Sequence, residues 1–208
     1  MNKITIATTN AGKAKEIGVL LQDLTGFVVD DLSKYAIEEP PEPYESFMAN
    51  ASHKAKYYAE HVQGIVLAED SGFCIEALGG FPGVRSKEFI GECGGVEAAF
   101  TTLAQRLKGI NNHKATMHCA CVLYLPDEDL LLQNEGTVEG KITFPPKGDG
   151  GFAYDPIFIP NGYDKTFAEL GTDKKSQMSH RLIAVDATVK ELVAYLKNER
   201  RHGAQRGL

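Results

Sequence analysis

At 208 residues the chain is long enough to bury one sizeable core, and its 43% hydrophobic and 24% charged content is that of a soluble globular protein. A net charge of −6 argues against generic electrostatic binding to nucleic acid, while leaving room for a small anionic ligand held by a few placed lysines. No run approaches the ~20 apolar residues of a membrane span, and the opening MNKITIATTN has no signal-peptide pattern, so a cytoplasmic protein is expected.

Residues 3–8 alternate like a strand and run into Asn10, Gly12 and Lys13, after which Ile17, Leu20, Leu21 and Leu24 recur at helical spacing. Such a strand–loop–helix unit resembles a phosphate cradle. Thr8, Thr9 and Asn10 stand at the strand end, the positive helix end attracts phosphate, and Lys13 adds a point charge. An ordinary helix start fits the same residues, and the GxxxxGK[ST] loop is absent. Residues 27–29 predict a short strand. Residues 38–44, EEPPEPY, hold three prolines and three acids and must be loop. Ser46 is suited to cap a helix whose buried stripe is Phe47, Ala51, Ala55, Tyr58 and Val62. Lys54, on that helix, taken alone reads as an exposed surface lysine.

Residues 65–68 predict a buried strand, followed at once by Glu69, Asp70, Ser71 and Gly72, and then by Gly79, Gly80, Pro82 and Gly83. A strand that delivers two carboxylates into a glycine-rich turn is how α/β enzymes present acids to a ligand. Neighbouring strand residues point to opposite sides, so Glu69 and Asp70 can take separate tasks, such as holding a cation and activating water. The plainer alternative is a solvated strand end whose acids cap a turn.

Residues 95–108 predict an amphipathic helix through Val96, Ala99, Phe100, Leu103 and Leu107. Residues 117–125 and 130–138 flank a Pro-Asp-Glu-Asp turn and predict an antiparallel hairpin. Within it, His118, Cys119 and Cys121 read as core, because the run is apolar and the four cysteines lack zinc spacing. Reduced thiols fit the cytoplasm. Residues 145–151, PPKGDGG, predict a flexible loop ahead of Phe152, Tyr154 and Asp155. An aromatic there can stack on a planar base or pack into the core after a turn. Residues 156–160 predict a short strand. Ser179 is suited to cap the last helix, with Leu182, Val185, Val189, Leu192, Val193 and Leu196 on one face and a frayed basic tail over residues 199–208. Lys175, His180 and Arg181 gather at the start of that helix, where cations are unfavourable, which points to a ligand; Arg and His can both donate to a base carbonyl. Helices mixed with parallel and antiparallel strand signals predict an α/β fold with a mixed sheet, as a single domain over residues 1–208.

Taken in order, ATTNAGKAKE (7–16), FMANASHKA (47–55), AEDSGFCIEALGGFPGVRS (68–86), GGFAYDPIF (150–158) and KSQMSHR (175–181) resemble the inosine triphosphate pyrophosphatase family nearly end to end. The resemblance implies an elongated, two-lobed α/β fold around a mixed, twisted central sheet, with an active-site cleft between the lobes, and a homodimer. It implies Mg²⁺-dependent attack of water on the α-phosphorus of non-standard purine nucleoside triphosphates (ITP, dITP, XTP), giving the monophosphate and pyrophosphate. Asp70 then corresponds to the general base, and Glu69 and Asp70 to metal-binding carboxylates. Thr8, Thr9, Asn10, Lys13, Lys54 and Ser71 correspond to substrate-binding positions, with Asn10, Lys13 and Lys54 on the triphosphate. Phe152 corresponds to the base-stacking ring, Tyr154 to a substrate-binding position, and Asp155, Lys175, His180 and Arg181 to groups around the purine and sugar. No nucleic-acid or membrane partner is implied. The chain departs from the family pattern at Ala49, where a metal-binding Glu is usual, at Glu69, often Asp, and at Ala153, which replaces a common Gly. Rival readings are a nucleotide-binding protein that has lost catalysis, motivated by Ala49, and a pyrophosphatase for other modified nucleotides.

Overall fold

The structure is a computed structural model that describes residues 3–8, 13, 14, 17, 18, 21 and 27–206. Its strands are β1 (Lys3–Ala7), β2 (Val28–Asp31), β3 (Ile65–Ile75), β4 (Pro82–Gly83), β5 (Lys114–Leu125), β6 (Leu130–Ile142) and β7 (Phe158–Pro160). Among the described residues these form one sheet in the order β2–β1–β3–β5–β6–β7, with β4 paired to β3 off that path. β1 is parallel to both β2 and β3, whereas β3–β4 and β6–β7 are antiparallel. The parallel pair β1–β3 is covered on both faces, so Ile4, Thr5, Ile6, Val66, Leu67 and Ala68 are all buried, whichever way they point. The mixed α/β architecture is therefore the one expected from the sequence.

The helices are α1 (Phe47–Val62), α2 (Ser86–Glu92), α3 (Val96–Arg106), α4 (Phe167–Leu170), α5 (Thr172–Ser176) and α6 (His180–Arg206). Residues 13, 14, 17, 18 and 21 are also helical. Ser46 caps α1 by accepting the Ala49 N–H at 3.2 Å, and Ser179 caps α6 by accepting the Leu182 N–H at 3.1 Å. Among the described residues no helix is long and apolar enough to cross a membrane.

The chain divides into two compact units. The first comprises Met1–Asp70, Ala120–Glu135 and Ile183–Leu208; the second comprises Ser71–Cys119 and Gly136–Leu182. In the first unit the core is built from small side chains, among them Ala51, Ala55 and Ala59 of α1 with Val66, Ala68, Ala120 and Val122 of the sheet. Alanine at every fourth position lets α1 lie close on the strands. In the second unit the core is aromatic. Phe73 stacks on Tyr154 with ring centres 4.9 Å apart, meets Phe158 edge-on at 5.8 Å, and Phe158 packs on Phe167 at 5.2 Å.

Four local expectations are corrected, and one helix appears that the sequence reading did not foresee. β3 does not end before the acidic pair but continues to Ile75, so Glu69 and Asp70 lie inside a strand. Burial explains this: Phe73 and Ile75 are core residues, and Cys74 pairs with Pro82 across β4, which extends the ladder past Gly72. A short helix, α2, fills the segment after the glycine-rich turn. Lys175 belongs to α5 and not to the start of the last helix, which Ser179 begins. The last helix runs on to Arg206, past the point where fraying was expected. Finally, the segment 145–151 is loop, as expected, but it is docked. Thr166 Oγ1 donates to the Lys147 carbonyl at 2.8 Å, and the Lys147 N–H donates to the Pro156 carbonyl at 2.8 Å. A Cβ at Gly148 would fall 2.6 Å from the Glu169 nitrogen and one at Gly150 would fall 2.9 Å from the Ala168 oxygen, so the loop lies on α4 too closely for any side chain.

Candidate active site

Strand alternation sends Glu69 and Asp70 to different partners in the first unit. Both are buried, at 5% and 6% exposure. Glu69 is ion-paired with Lys13. Asp70 Oδ2 accepts a hydrogen bond from Asn50 Nδ2 at 3.2 Å, and Asp70 Oδ1 lies 3.5 Å from Lys54 Nζ. Lys54 Nζ also donates to Glu42 Oε1 at 2.5 Å. The surface reading of Lys54 is thereby overturned, since it is only 7% exposed. Positions 50 and 54 are one turn apart on α1 and face the same way as the buried alanines, so this polar pair is carried into the interior beside the acids.

Burial pushes the Asp70 carboxyl up to about 6, against the pull of Lys54 and the Asn50 hydrogen bond and with the help of Glu42 and Glu69. For Lys54, burial pulls the ammonium down, but the attraction of Asp70, Glu42 and Glu69 together outweighs it and holds the group above its ordinary value. Asp70 is thus a carboxylate short of compensation, with a proton affinity close to that of a base working near neutral pH.

Glu42 and Asn50 are functional candidates that sequence reasoning passed over. The only trace of Glu42 was an acid inside a proline-locked loop twelve residues before Lys54; that of Asn50 was its place four residues before Lys54 on one helical face. Thr8 is placed at the end of β1, its N–H donating to the Ile6 carbonyl at 3.0 Å. Thr9 and Asn10 lie outside the described residues. Ser71 follows Asp70 in β3, in the second unit, and is half-buried.

The second unit gathers another set. Asp155 Oδ2 accepts from Lys175 Nζ at 2.6 Å and from the Phe152 N–H at 2.9 Å. Both partners of this ion pair are buried, whereas the Phe152 ring is 45% exposed. Lys175 Nζ lies 4.3 Å from the centre of that ring, and the Arg181 guanidinium carbon lies 5.8 Å from it. A Cβ at Gly151 would fall 2.2 Å from Asp155 Oδ2, so glycine is required for the carboxylate to reach the loop backbone. His180 and Arg181 are buried at the start of α6. The Tyr154 side chain does not join this set: its ring is in the aromatic core and its hydroxyl donates to the Ser86 carbonyl at 2.8 Å. An aromatic next to a turn is taken by the core when a neighbouring ring is there to receive it, and Phe73 is that ring. Cys119 and Cys121 are buried in β5, as the apolar run predicted, and the four cysteines are free.

The donor chemistry of the first unit fits a hard divalent cation. Glu42, Glu69 and Asp70 offer only oxygens, and the buried Asp70 carboxylate gains from any added positive charge. Among the described residues no three His, Cys, Asp or Glu side chains form a ready metal cage. Ala49, in the first turn of α1, adds no side-chain donor. Mg²⁺ suits such a partial shell, because it retains several waters and binds through one or two carboxylates and substrate phosphates.

The profile of the Ham1 family matches residues 4–191 of the chain. A protein of Clostridium tetani named dITP/XTP pyrophosphatase is 37% identical over 203 residues, 96% of this chain and all of that one. One of the same name from Bacillus subtilis is 40% identical over 93% of this chain and 98% of its own length. A solved structure of a HAM1 protein from Coxiella burnetii superposes with a TM-score of 0.86 at 30% identity, covering 93% of this chain and 100% of that one.

Proposed function

The chain belongs to the Ham1 family, and from that premise we propose that it hydrolyses non-standard purine nucleoside triphosphates, ITP, dITP and XTP, to the monophosphate and pyrophosphate. The observation that carries the chemistry is Asp70, a buried carboxylate raised to about 6 and held between Asn50 and Lys54. Asp70 is the general base that takes the proton from the attacking water, a contribution of roughly 10²–10⁴-fold.

Charge balance supports a triphosphate as ligand. The two lysines beside these acids are matched to carboxylates: Lys13 to Glu69, and Lys54 to Glu42 and Asp70. A metal-bound triphosphate brings both kinds of partner at once. Its oxygens take up Lys13 and Lys54, and its cation takes up the acids, so no buried charge is left alone. Glu69 and Asp70 would hold Mg²⁺, and Glu42 would take the place of the acid that Ala49 lacks. When bound, Mg²⁺ draws charge from the phosphate oxygens and opens the α-phosphorus to attack.

The second unit reads the base. Phe152 offers an exposed ring for stacking, its backbone fixed by Asp155 and Lys175. Arg181 and His180 bring donors suited to the 6-oxo group of hypoxanthine and xanthine. Adenine presents an amino group there and sets donor against donor, at a cost of ~1–3 kcal/mol per unsatisfied group. The protein works as a cytoplasmic homodimer; free thiols accord with a reducing compartment, and the dimer rests on the family resemblance.

Pyrophosphate release from ITP, XTP, GTP and ATP, with and without Mg²⁺, tests the proposal. Rapid metal-dependent turnover of ITP and XTP with slow ATP turnover is expected; equal rates on ATP and ITP overturn the base-reading part. Ala49 favours a second reading, a binding protein without catalysis, which predicts tight ITP binding in Mg²⁺ and no pyrophosphate.

A further inference from the structure

We propose that Asn50 is a positioning residue for Asp70, its side-chain amide tying the base carboxylate to the backbone of the proline-rich loop. The inference rests on Asp70 being the base of the proposed hydrolysis.

Asn50 is 1% exposed, and its amide is engaged on both ends. Asn50 Oδ1 accepts the Tyr44 N–H at 3.0 Å, while Nδ2 donates to the Tyr44 carbonyl at 3.1 Å and to Asp70 Oδ2 at 3.2 Å. The two bonds to one backbone residue fix which end of the amide is oxygen. Turned over, it would set oxygen against the Tyr44 carbonyl and against Asp70, and nitrogen against an N–H donor. The amide therefore presents an N–H to Asp70 in one orientation only.

The consequence for Asp70 is geometric. With Oδ2 held by Asn50 and Oδ1 turned toward Lys54, the rotation of the carboxylate about its χ2 axis is set, and with it the lone pairs left to receive a proton. The same amide also anchors the loop that carries Glu42, two residues before Tyr44, whose carboxylate holds the other side of Lys54. Asn50 thus links three segments that meet at the base: the proline-rich loop, α1 and β3. A side chain whose task was only to dock the loop needs the two bonds to Tyr44; the third, to a buried carboxylate on another element, is the one that sets the base.

The test compares wild type, Asn50→Ala, Asn50→Asp, Asn50→Ser, Asp70→Asn and the double variant N50A/D70N. It measures kcat and KM for ITP in Mg²⁺, affinity for an α,β-methylene ITP analogue by calorimetry, and thermal midpoint. Asn50→Asp keeps the size and the acceptor for the Tyr44 N–H, but it loses both Nδ2 donations, to Asp70 and to the Tyr44 carbonyl, and sets a second carboxylate beside the base. We expect kcat to fall ~10–100-fold in N50A and N50D. KM and analogue affinity should stay within about threefold, Asn50→Ser should recover part of the loss, and N50A should cost nothing further in the D70N background. N50D with wild-type kcat, or a kcat loss in N50A that repeats in full on top of D70N, overturns the assignment. Should N50A fail to fold, N50D and N50S carry the comparison. Full turnover by D70N removes the base assignment itself, whereas an inactive D70N beside a fully active N50D removes the role of Asn50 alone.

Discussion

Lys54 Nζ lies 2.5 Å from Glu42 Oε1, so a lysine in the middle of α1 pins down the proline-rich loop that precedes the helix. The same ammonium stands 3.5 Å from Asp70. Lys54→Met removes the one positive charge that these two acids share among the described contacts. Breaking a buried pair in this way leaves uncompensated charge, and the variant should lose ~3 kcal/mol of stability at pH 7. The loss should shrink at pH 5, where the raised Asp70 carboxyl takes up a proton instead. Denaturant unfolding at the two pH values measures both.

Asp70 gives the opposite behaviour. Its carboxyl stands at about 6 in the folded chain against 3.8 for an unperturbed aspartate. Between those values the folded protein holds a proton that the unfolded chain has released, so stability falls as pH rises through the window and stays lower above it. Asp70→Asn should therefore stabilise the metal-free protein by ~1–3 kcal/mol at pH 8. The gain should vanish below pH 4, while ITP turnover falls by at least ~10²-fold. Urea unfolding in EDTA at pH 4 and pH 8, beside a turnover assay, checks the two halves separately.

These acids also mark where sequence reading succeeds and stops. Glu69 and Asp70 were legible as a pair turned toward different partners, because the period of two along a strand fixes their directions whatever lies around them. The helix over residues 47–62 and its cap at Ser46 were legible for the same local reason. Lys54 was not, since its burial depends on acids from two other segments, Glu42 of the proline-rich loop and Asp70 of β3, and no periodicity announces that they meet it. α4 and α5, four and five residues long, are shorter than the window in which a helical period can be recognised. Tyr154 and Phe152 stand two apart beside the same turn. Tyr154 went to the core because Phe73, Phe100 and the Ser86 carbonyl receive it there, and no local pattern announces those partners.

Phe152 and Asp155 should separate binding from stability. The exposed ring of Phe152 contributes little to the fold, so Phe152→Ala should leave the melting temperature within ~1 °C. Its KM for ITP should rise ~10–100-fold through lost stacking. Asp155→Ala, by contrast, leaves Lys175 buried without its acid and frees the Phe152 N–H. It should lose ~3 kcal/mol of stability as well as affinity. A melting curve and an ITP titration on each variant distinguish the outcomes.

Asp30 should govern the acid limb of stability in the first unit. Its carboxylate receives Lys3 at 2.7 Å and Lys34 at 2.9 Å, and the hydrogen bond from Lys3, then that from Lys34, holds it down to about 2. A lowered value means stabilisation that is complete above the ordinary aspartate range and lost as pH falls from near 4 toward 2. Both lysines are well exposed to solvent, so the contribution is modest. Asp30→Asn should cost ~1 kcal/mol at pH 7 in low salt, less in 1 M salt, and nothing at pH 2. Thermal unfolding across that series tests it.

The two outer strands, β2 and β7, are four and three residues long; one closes on adjacent aspartates and the other on a proline. Open backbone at a rim invites a further strand from a neighbouring molecule, and brevity, charge and proline each discourage it. The stickiest stretches, in β3 and β5, are shielded on either side by partners within the ladder. A sheet laid out in this way offers a neighbouring molecule little open edge on which to build.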